Sequence, residues 1–451
     1  MSAFALGRGR LTRSAKGKQA KKRSRGATVS TEYNMLLTAS LCLLAFGAVM
    51  VFSASSTTQV LHDGGLGNSA FYLKRTVMFG AVGLVIMHLT ARHGLVAVRR
   101  LTPLLLGVSL FLLVAVLGIG STVNGASRWI GSGSLQIQPS ELAKVALILY
   151  GADMLARKPK RARSIEGFLP FLLVTAAASL LIMLEPDMGT TMVVAFAVGA
   201  TLIAAGARPR DLGLIALGIG FLALMMTIIE PYRMARLTGF LHPGSAAEGA
   251  GFQAAQAKIA LGSGGLFGVG IGNGVQKAFY LPEAHTDMIS AVIGEELGMV
   301  GIVGVVGLFA MFGYAGLKVA QRAKDNDGKL LVAGLTSLIL VQAMINLFAV
   351  MGLAPLTGVP LPFVSYGNSS LMATLFAVGL ILNVARGGTA SAARSSTGSR
   401  AGKLRVVEGG RAPARERSRS SGARKAKSGG GGGGNRGARR ARHGGRRRAS
   451  S

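Results

Sequence analysis

The stretch LLTASLCLLAFGAVMVF, Leu36–Phe52, runs for seventeen residues without a charge. An α-helix needs about 20 such residues to cross a bilayer. No small-residue cleavage site follows it, so a removable signal peptide is not expected and the run should stay as a helix. Similar runs recur along the chain, at roughly 73–90, 101–120, 140–156, 167–184, 188–206, 211–230, 287–316, 330–352 and 363–385. With the first, near 34–54, they make about ten transmembrane helices. The expected fold is therefore an all-α integral membrane protein.

Composition agrees. Charged residues are 15% of the chain, against about a quarter in soluble domains. The formal net charge is nevertheless +32, and most of it lies in two tails. Residues 1–30 carry a surplus of nine positive charges and residues 386–451 a surplus of seventeen, which leaves six for the body. On a polytopic chain such tails fit cytoplasmic retention and attraction to an anionic membrane surface. Nucleic acid is not an expected partner. The tail containing Gly429–Gly434 is of low complexity and is expected to be disordered, as is the basic segment 1–33. Cys42 is the sole cysteine, which excludes a disulfide or a cysteine-built metal site within one chain.

Basic residues also set the expected sidedness. With ten helices and a cytoplasmic N-terminus, the inner loops carry fourteen Lys/Arg and the outer segments seven. An even count puts both basic tails, and so both termini, in the cytoplasm. It also leaves a long extracytoplasmic loop, 231–286, between helices 7 and 8. Loops of that length are usually functional or disordered. Its glycine-rich part, Gly262–Gly274, has no preceding strand and reads as a flexible or closely packed loop rather than a nucleotide cradle.

Charges in or beside the spans are costly and mark interiors or wet cavities. Glu141 and Lys144 share a helix face and read as an ion pair or as a headgroup site. Glu185 and Asp187 flank Pro186 in a turn, where Asp187 suits a helix N-cap. Trp129 suits an interfacial anchor, and its neighbour Arg128 is a phosphate ligand or a rim charge. Arg233 and Arg236, three apart, would form a fork suited to a pyrophosphate. The richest stretch is Leu281-Pro282-Glu283-Ala284-His285-Thr286-Asp287, followed by Glu295 and Glu296. Asp287 stands where a helix N-terminus favours a carboxylate. Glu295 and Glu296 need partners if they enter the bilayer.

These stretches are joined by others. Gly125-Ala126-Ser127-Arg128-Trp129, Gln138-Pro139-Ser140-Glu141-Leu142-Ala143-Lys144, Glu185-Pro186-Asp187-Met188-Gly189-Thr190, Tyr232-Arg233-Met234-Ala235-Arg236 and Pro360-Leu361-Pro362-Phe363-Val364-Ser365-Tyr366-Gly367 run in order through 34–385. Together they resemble the SEDS family of shape, elongation, division and sporulation proteins. The run Gly272–Lys277 and the Tyr-Arg-Met-Ala-Arg pattern are closer to its cell-division branch than to its elongation branch. Met288-Ile289-Ser290 stands where the family usually has aromatics. Gly367-Asn368-Ser369-Ser370 stands where it has two glycines and two serines.

The resemblance implies a peptidoglycan glycosyltransferase of the cell membrane, acting at the division septum. It would polymerise lipid II and release undecaprenyl pyrophosphate. It implies Asp287 as the essential acid; the residue chemistry adds Glu283 and His285 as candidate helpers. The chemistry asks for cations at the leaving pyrophosphate, and Arg128, Arg233, Arg236 and Lys258 are available on the same side. A divalent cation, Mg or Mn, is a candidate cofactor, with Asp287 its ligand if it has one. A class B penicillin-binding protein and other divisome proteins are the implied partners. The competing readings are a lipid II flippase, with charged helices lining its path, and a divisome scaffold recruiting through its tails.

Overall fold

The computed structural model describes residues 31–56, 71–123, 126–131, 136–157, 159, 163–241, 250–278 and 280–388. The basic tails at 1–30 and 389–451, with the disorder expected of them, lie outside the described residues. The helices are α1 (Thr31–Ser56), α2 (Phe71–Ile119), α3 (Pro139–Arg157), α4 (Ile165–Leu184), α5 (Met188–Ala205), α6 (Pro209–Ile229), α7 (Pro231–Leu241), α8 (Ala250–Gly264), α9 (Ile289–Arg322), α10 (Asn326–Val350) and α11 (Asn368–Ala385). α2 holds two spans, Phe71–His93 and Leu95–Ile119, which meet at Gly94.

Among the described residues, nine segments are long and apolar enough to cross a bilayer. The tenth crossing is α3, whose nineteen residues span about 28 Å. It carries Glu141, Lys144, Asp153 and Arg157, so its composition alone marks it poorly. Its polarity is tolerable because most of its residues, Glu141 and Lys144 among them, are buried in the bundle: α2, α4, α5, α10 and α11 all pack on it. α10 is the other central helix, enclosed by α3, α5, α8, α9 and α11. α6 is the opposite case. Only Thr227 is buried along it, and Leu217 and Phe221 face outward.

An even number of crossings brings the chain back to the end where it entered. The Arg386 guanidinium donates to the Tyr33 hydroxyl at 2.7 Å, and Arg322 pairs with Glu32. The other end of the bundle carries Asp287, and the two ends are called here the far end and the Asp287 end.

Two departures from a plain helical bundle lie at the Asp287 end. β1 (Ser121–Val123) and β2 (Ala126–Trp129) form a small antiparallel hairpin, with Thr122 opposite Ser127. The long loop 231–286 contains α7 and α8, and α8 packs along α9.

The glycine-rich stretch after α8 is locked into place. α9 is broken at Gly298, which has φ +66°. The Val269 and Gly270 amides donate to the Glu295 and Glu296 carbonyls, both at 3.0 Å. In return the Met299 and Val300 amides donate to Gly265 and Leu266, at 2.9 and 3.2 Å. A Cβ on Gly298 would lie 2.5 Å from the Gly268 nitrogen and 2.6 Å from the Leu266 carbonyl. Both backbone conformation and space therefore demand glycine. Gly298→Ala should lower stability by at least about 2 kcal/mol, read as a fall in Tm of the detergent-solubilised protein.

Candidate active site

Asp287 ends a run of turns, 282–288, that leads into α9. Buried Leu281, Ala284 and Met288 anchor that run. The Asp287 carbonyl accepts from Asn346 Nδ2 at 2.7 Å, and the residue as a whole is half-buried. Desolvation raises the carboxyl, the neighbouring Glu283 charge raises it further, and Arg236 opposes both; the outcome is a pKa of about 6. Glu283 takes a left-handed φ of +55°. The Thr286 hydroxyl reaches Glu283 Oε2 at 3.1 Å and Asp287 Oδ1 at 3.2 Å, so its one proton serves one carboxylate at a time.

His285 is turned into an aromatic cluster. Its ring centroid lies 4.4 Å from that of Tyr72 and 5.6 Å from that of Tyr366. Its carbonyl accepts from the Tyr366 amide at 2.9 Å. Desolvation lowers its pKa against the pull of Glu283, which favours the neutral ring. Arg75 donates to the Tyr366 hydroxyl at 3.3 Å and lies over Phe71, 5.0 Å from its centroid.

The four basic residues expected at a pyrophosphate divide into two pairs. Arg236 stands by Asp287: a Cβ on Gly358 would lie 3.9 Å from both Arg236 Nη1 and Asp287 Oδ2. Arg236 Nη1 donates to the Leu356 carbonyl at 2.9 Å, and Arg236 and exposed Lys258 line one open cleft with Phe240, Ala349 and Leu356. Arg233 is turned away. It is buried, and its guanidinium donates to the Met226 and Met183 carbonyls at 3.3 and 3.2 Å. Arg233 and Arg236 are thus committed to different carbonyls and make no fork. Arg128 donates to the Glu185 carbonyl at 3.0 Å and to the Pro186 carbonyl, pinning the hairpin to the α4–α5 turn.

The charges placed in or beside spans mostly have partners. Lys144 Nζ lies 2.9 Å from Glu141 Oε1 and 2.9 Å from Gln342 Oε1, so the ion pair is formed. Asp187 caps α5 by accepting from the Thr190 amide at 3.0 Å and hydroxyl at 2.8 Å. Glu295 accepts from the Val275 and Gln276 amides at 2.8 and 3.1 Å. Glu296 pairs with buried Lys277 at 2.6 Å and accepts from Ser53 at 2.7 Å. Glu185 is the exception: among the described residues neither of its buried carboxylate oxygens has a hydrogen-bond partner. Desolvation, then repulsion from Asp187, lifts its pKa to about 8 against the pull of Arg128.

The sequence did not single out Lys277 or Asn346. Lys277 counted only as an outer basic residue, although a lysine between two glutamate-bearing segments is a natural partner for them. Gln342 and Asn346, one turn apart in an apolar span, are the available signal for the second.

No group of three or more His, Cys, Asp or Glu residues able to hold a metal occurs among the described residues. Mg²⁺ commonly binds through one or two carboxylates plus substrate phosphates and keeps its waters. Asp287 and Glu283, close enough for Glu283 to raise the Asp287 carboxyl, fit that sparser arrangement.

Comparison with known proteins gives a consistent set. Residues 33–389 match the family profile FTSW_RODA_SPOVE, described as "Cell cycle protein". A relative named probable peptidoglycan glycosyltransferase FtsW, from Trichlorobacter lovleyi, is 42% identical over 366 residues, covering 79% of this chain and 94% of its own. Stage V sporulation protein E of Bacillus subtilis is 41% identical over 358 residues, covering 78% and 96%. A chain from a solved structure titled "Structural coordination of polymerization and crosslinking by a peptidoglycan synthase complex" is similar at TM-score 0.64 and 30% identity, over 78% of this chain and 96% of that one. The Thermus thermophilus rod shape determining protein RodA is similar at TM-score 0.58 and 30% identity, over 78% and 95%.

The unpartnered carboxyl of Glu185 makes a stability prediction. Its folded pKa of about 8 lies above the ordinary 4.5, so the folded state binds the extra proton between those values. Stability should therefore fall as pH rises from about 4.5 to about 8, and level off above. Glu185→Gln cannot ionise, so its thermal midpoint should lose that slope and stand above wild type near pH 8.

Proposed function

The chain belongs to the FtsW/RodA/SpoVE family, and from that premise we propose that it is a peptidoglycan glycosyltransferase that polymerises lipid II in the septal wall. The observation that carries this is the half-buried Asp287 beside Arg236, its carboxyl raised by desolvation to a pKa of about 6. A sugar hydroxyl is a poor nucleophile and gains from a positioned base. Asp287 takes the proton of the acceptor 4-hydroxyl as that oxygen bonds to the donor's anomeric carbon. The bond from that carbon to the leaving oxygen breaks, and its electron pair departs with undecaprenyl pyrophosphate. Arg236 and Lys258, across one cleft, meet the growing charge. A divalent cation, when bound, would supply further charge neutralisation, and Asp287 and Glu283 would hold it. Neutral His285 packs against Tyr72 and Tyr366 and supports the Asp287 run from behind.

The site opens at the end of the bundle opposite the clasp of α1 and α11. With both basic tails in the cytoplasm, that end is the outer face, where a lipid-linked sugar already delivered across the membrane would meet it. Glu141, Lys144 and Glu296 are satisfied by neighbours, which favours an enzyme over a charged translocation path. The septal role draws on the relatives named FtsW and on Gly272–Lys277. A class B penicillin-binding protein is the proposed partner, in line with the similar chain from a complex that polymerises and cross-links. The two tails would rest on anionic lipid of the inner leaflet.

The test is lipid II polymerisation by the purified full chain. Asp287→Ala should abolish glycan chains, and normal polymerisation by that variant would overturn the assignment. The base works as a carboxylate, so wild-type kcat/KM should rise with pH through about 6 and then level. Glu283→Gln removes a charge that raises Asp287, so it should move that acid limb to lower pH.

A further inference from the structure

Asn346 lies on α10, a helix otherwise rich in apolar residues, and is buried. Its Nδ2 donates to two carbonyls, that of Asp287 at 2.7 Å and that of Val359 at 2.8 Å. Its Oδ1 accepts from the Ser290 hydroxyl at 2.7 Å. Only the amide nitrogen can serve two carbonyls, so the orientation of the group is dictated by its partners. One turn earlier, Gln342 Nε2 donates to the Pro360 carbonyl at 3.1 Å. The successive carbonyls of Val359 and Pro360 are thus held by two carboxamides on one helix face.

That segment is part of the site. Leu356 accepts from Arg236, and Gly358 lies against Arg236 Nη1 and Asp287 Oδ2. The Asn346 amide is a two-pronged tie between the peptide of Asp287 and the segment whose Leu356 carbonyl accepts from Arg236. We propose that Asn346 is the positioning residue of this site, fixing the Asp287 backbone to the 356–360 segment and so setting the spacing between the base and the cation that receives the leaving group. The inference rests on the reading of Asp287 as the base. Asn346 itself is not catalytic, because it spends all three of its observed bonds on protein groups.

A residue needed only for folding would change how much protein is recovered and its Tm. A positioning residue changes turnover by the folded enzyme. Misplacement of reacting groups by about 1 Å costs about 100-fold in rate. The experiment compares the full chain and its variants in lipid nanodiscs, with steady-state polymerisation of lipid II measured per folded molecule. Asn346→Leu, which removes both donors, and Asn346→Asp, which replaces the amide nitrogen by oxygen, should each lower kcat by about 100-fold while KM stays within about threefold. Ser290→Ala removes only the bond that orients the amide. It should lower kcat by about tenfold at unchanged KM, and it carries the test if the Asn346 variants do not fold. A kcat within about threefold of wild type in the folded variants, or a loss confined to KM, overturns the inference. If Asp287→Ala is inactive while the Asn346 variants turn over normally, the positioning role alone fails. If Asp287→Ala is active, the reading beneath it fails.

Discussion

The break in α9 at Gly298 takes backbone amides and carbonyls out of the helix's own hydrogen-bond ladder. In a bilayer each such group costs several kcal/mol unless protein satisfies it. The chain meets the demand with its own loop, through reciprocal bonds from 265–270 to 295–300. Much follows from that exchange. The loop carries Lys277 to Glu296 and places the Val275 and Gln276 amides on Glu295. It therefore fixes the segment from which Asp287 is presented. A soluble protein could leave such a break to water, but here the break and the loop form a single unit.

The same economy sorts the charged groups. Those deepest in the bundle are consumed by one another: Glu141 by Lys144, Glu296 by Lys277. Arg128 and Arg233 are consumed by carbonyls. Left at least partly exposed are Asp287 and Glu283, with Arg236 beside Asp287 and Lys258 on the cleft that Arg236 also lines. The site is thus defined as much by what the fold neutralises as by what it leaves open. Glu185 stands apart: among the described residues its buried carboxylate oxygens accept no hydrogen bond, and desolvation outweighs the pull of Arg128 so that it holds its proton near neutral pH.

Sequence made the crossings legible because lipid imposes a length and an apolarity that survive without tertiary context. Even α3, with four charged residues, was readable as a run, although composition could not say it was central. The motif at 281–287 and the resemblance around it located Asp287. What could not be read was the aim of long side chains. Arg233 and Arg236 have the spacing of a fork, yet the packing of α7 sends one inward to Met183 and the other toward Leu356. Helices α7 and α8 were hidden because, at eleven and fifteen residues, neither is long enough to signal a span. The β1–β2 hairpin, three and four residues long, is too short to show an alternating pattern. Asn346 was invisible as a tie because its partners are backbone carbonyls, which no sequence pattern marks.

Helix α1 finds its polar and close backbone partners late in the chain. Ser53 bonds to Glu296, Glu32 pairs with Arg322, Tyr33 accepts from Arg386, and Gly47 fits against Phe363 and Val364. During synthesis at about 5–20 residues per second, the first helix enters the bilayer long before those residues exist. Those bonds can form only once α9 and α11 have been made. Assembly of this protein is therefore completed by a closing of its two ends, the last helix meeting the first.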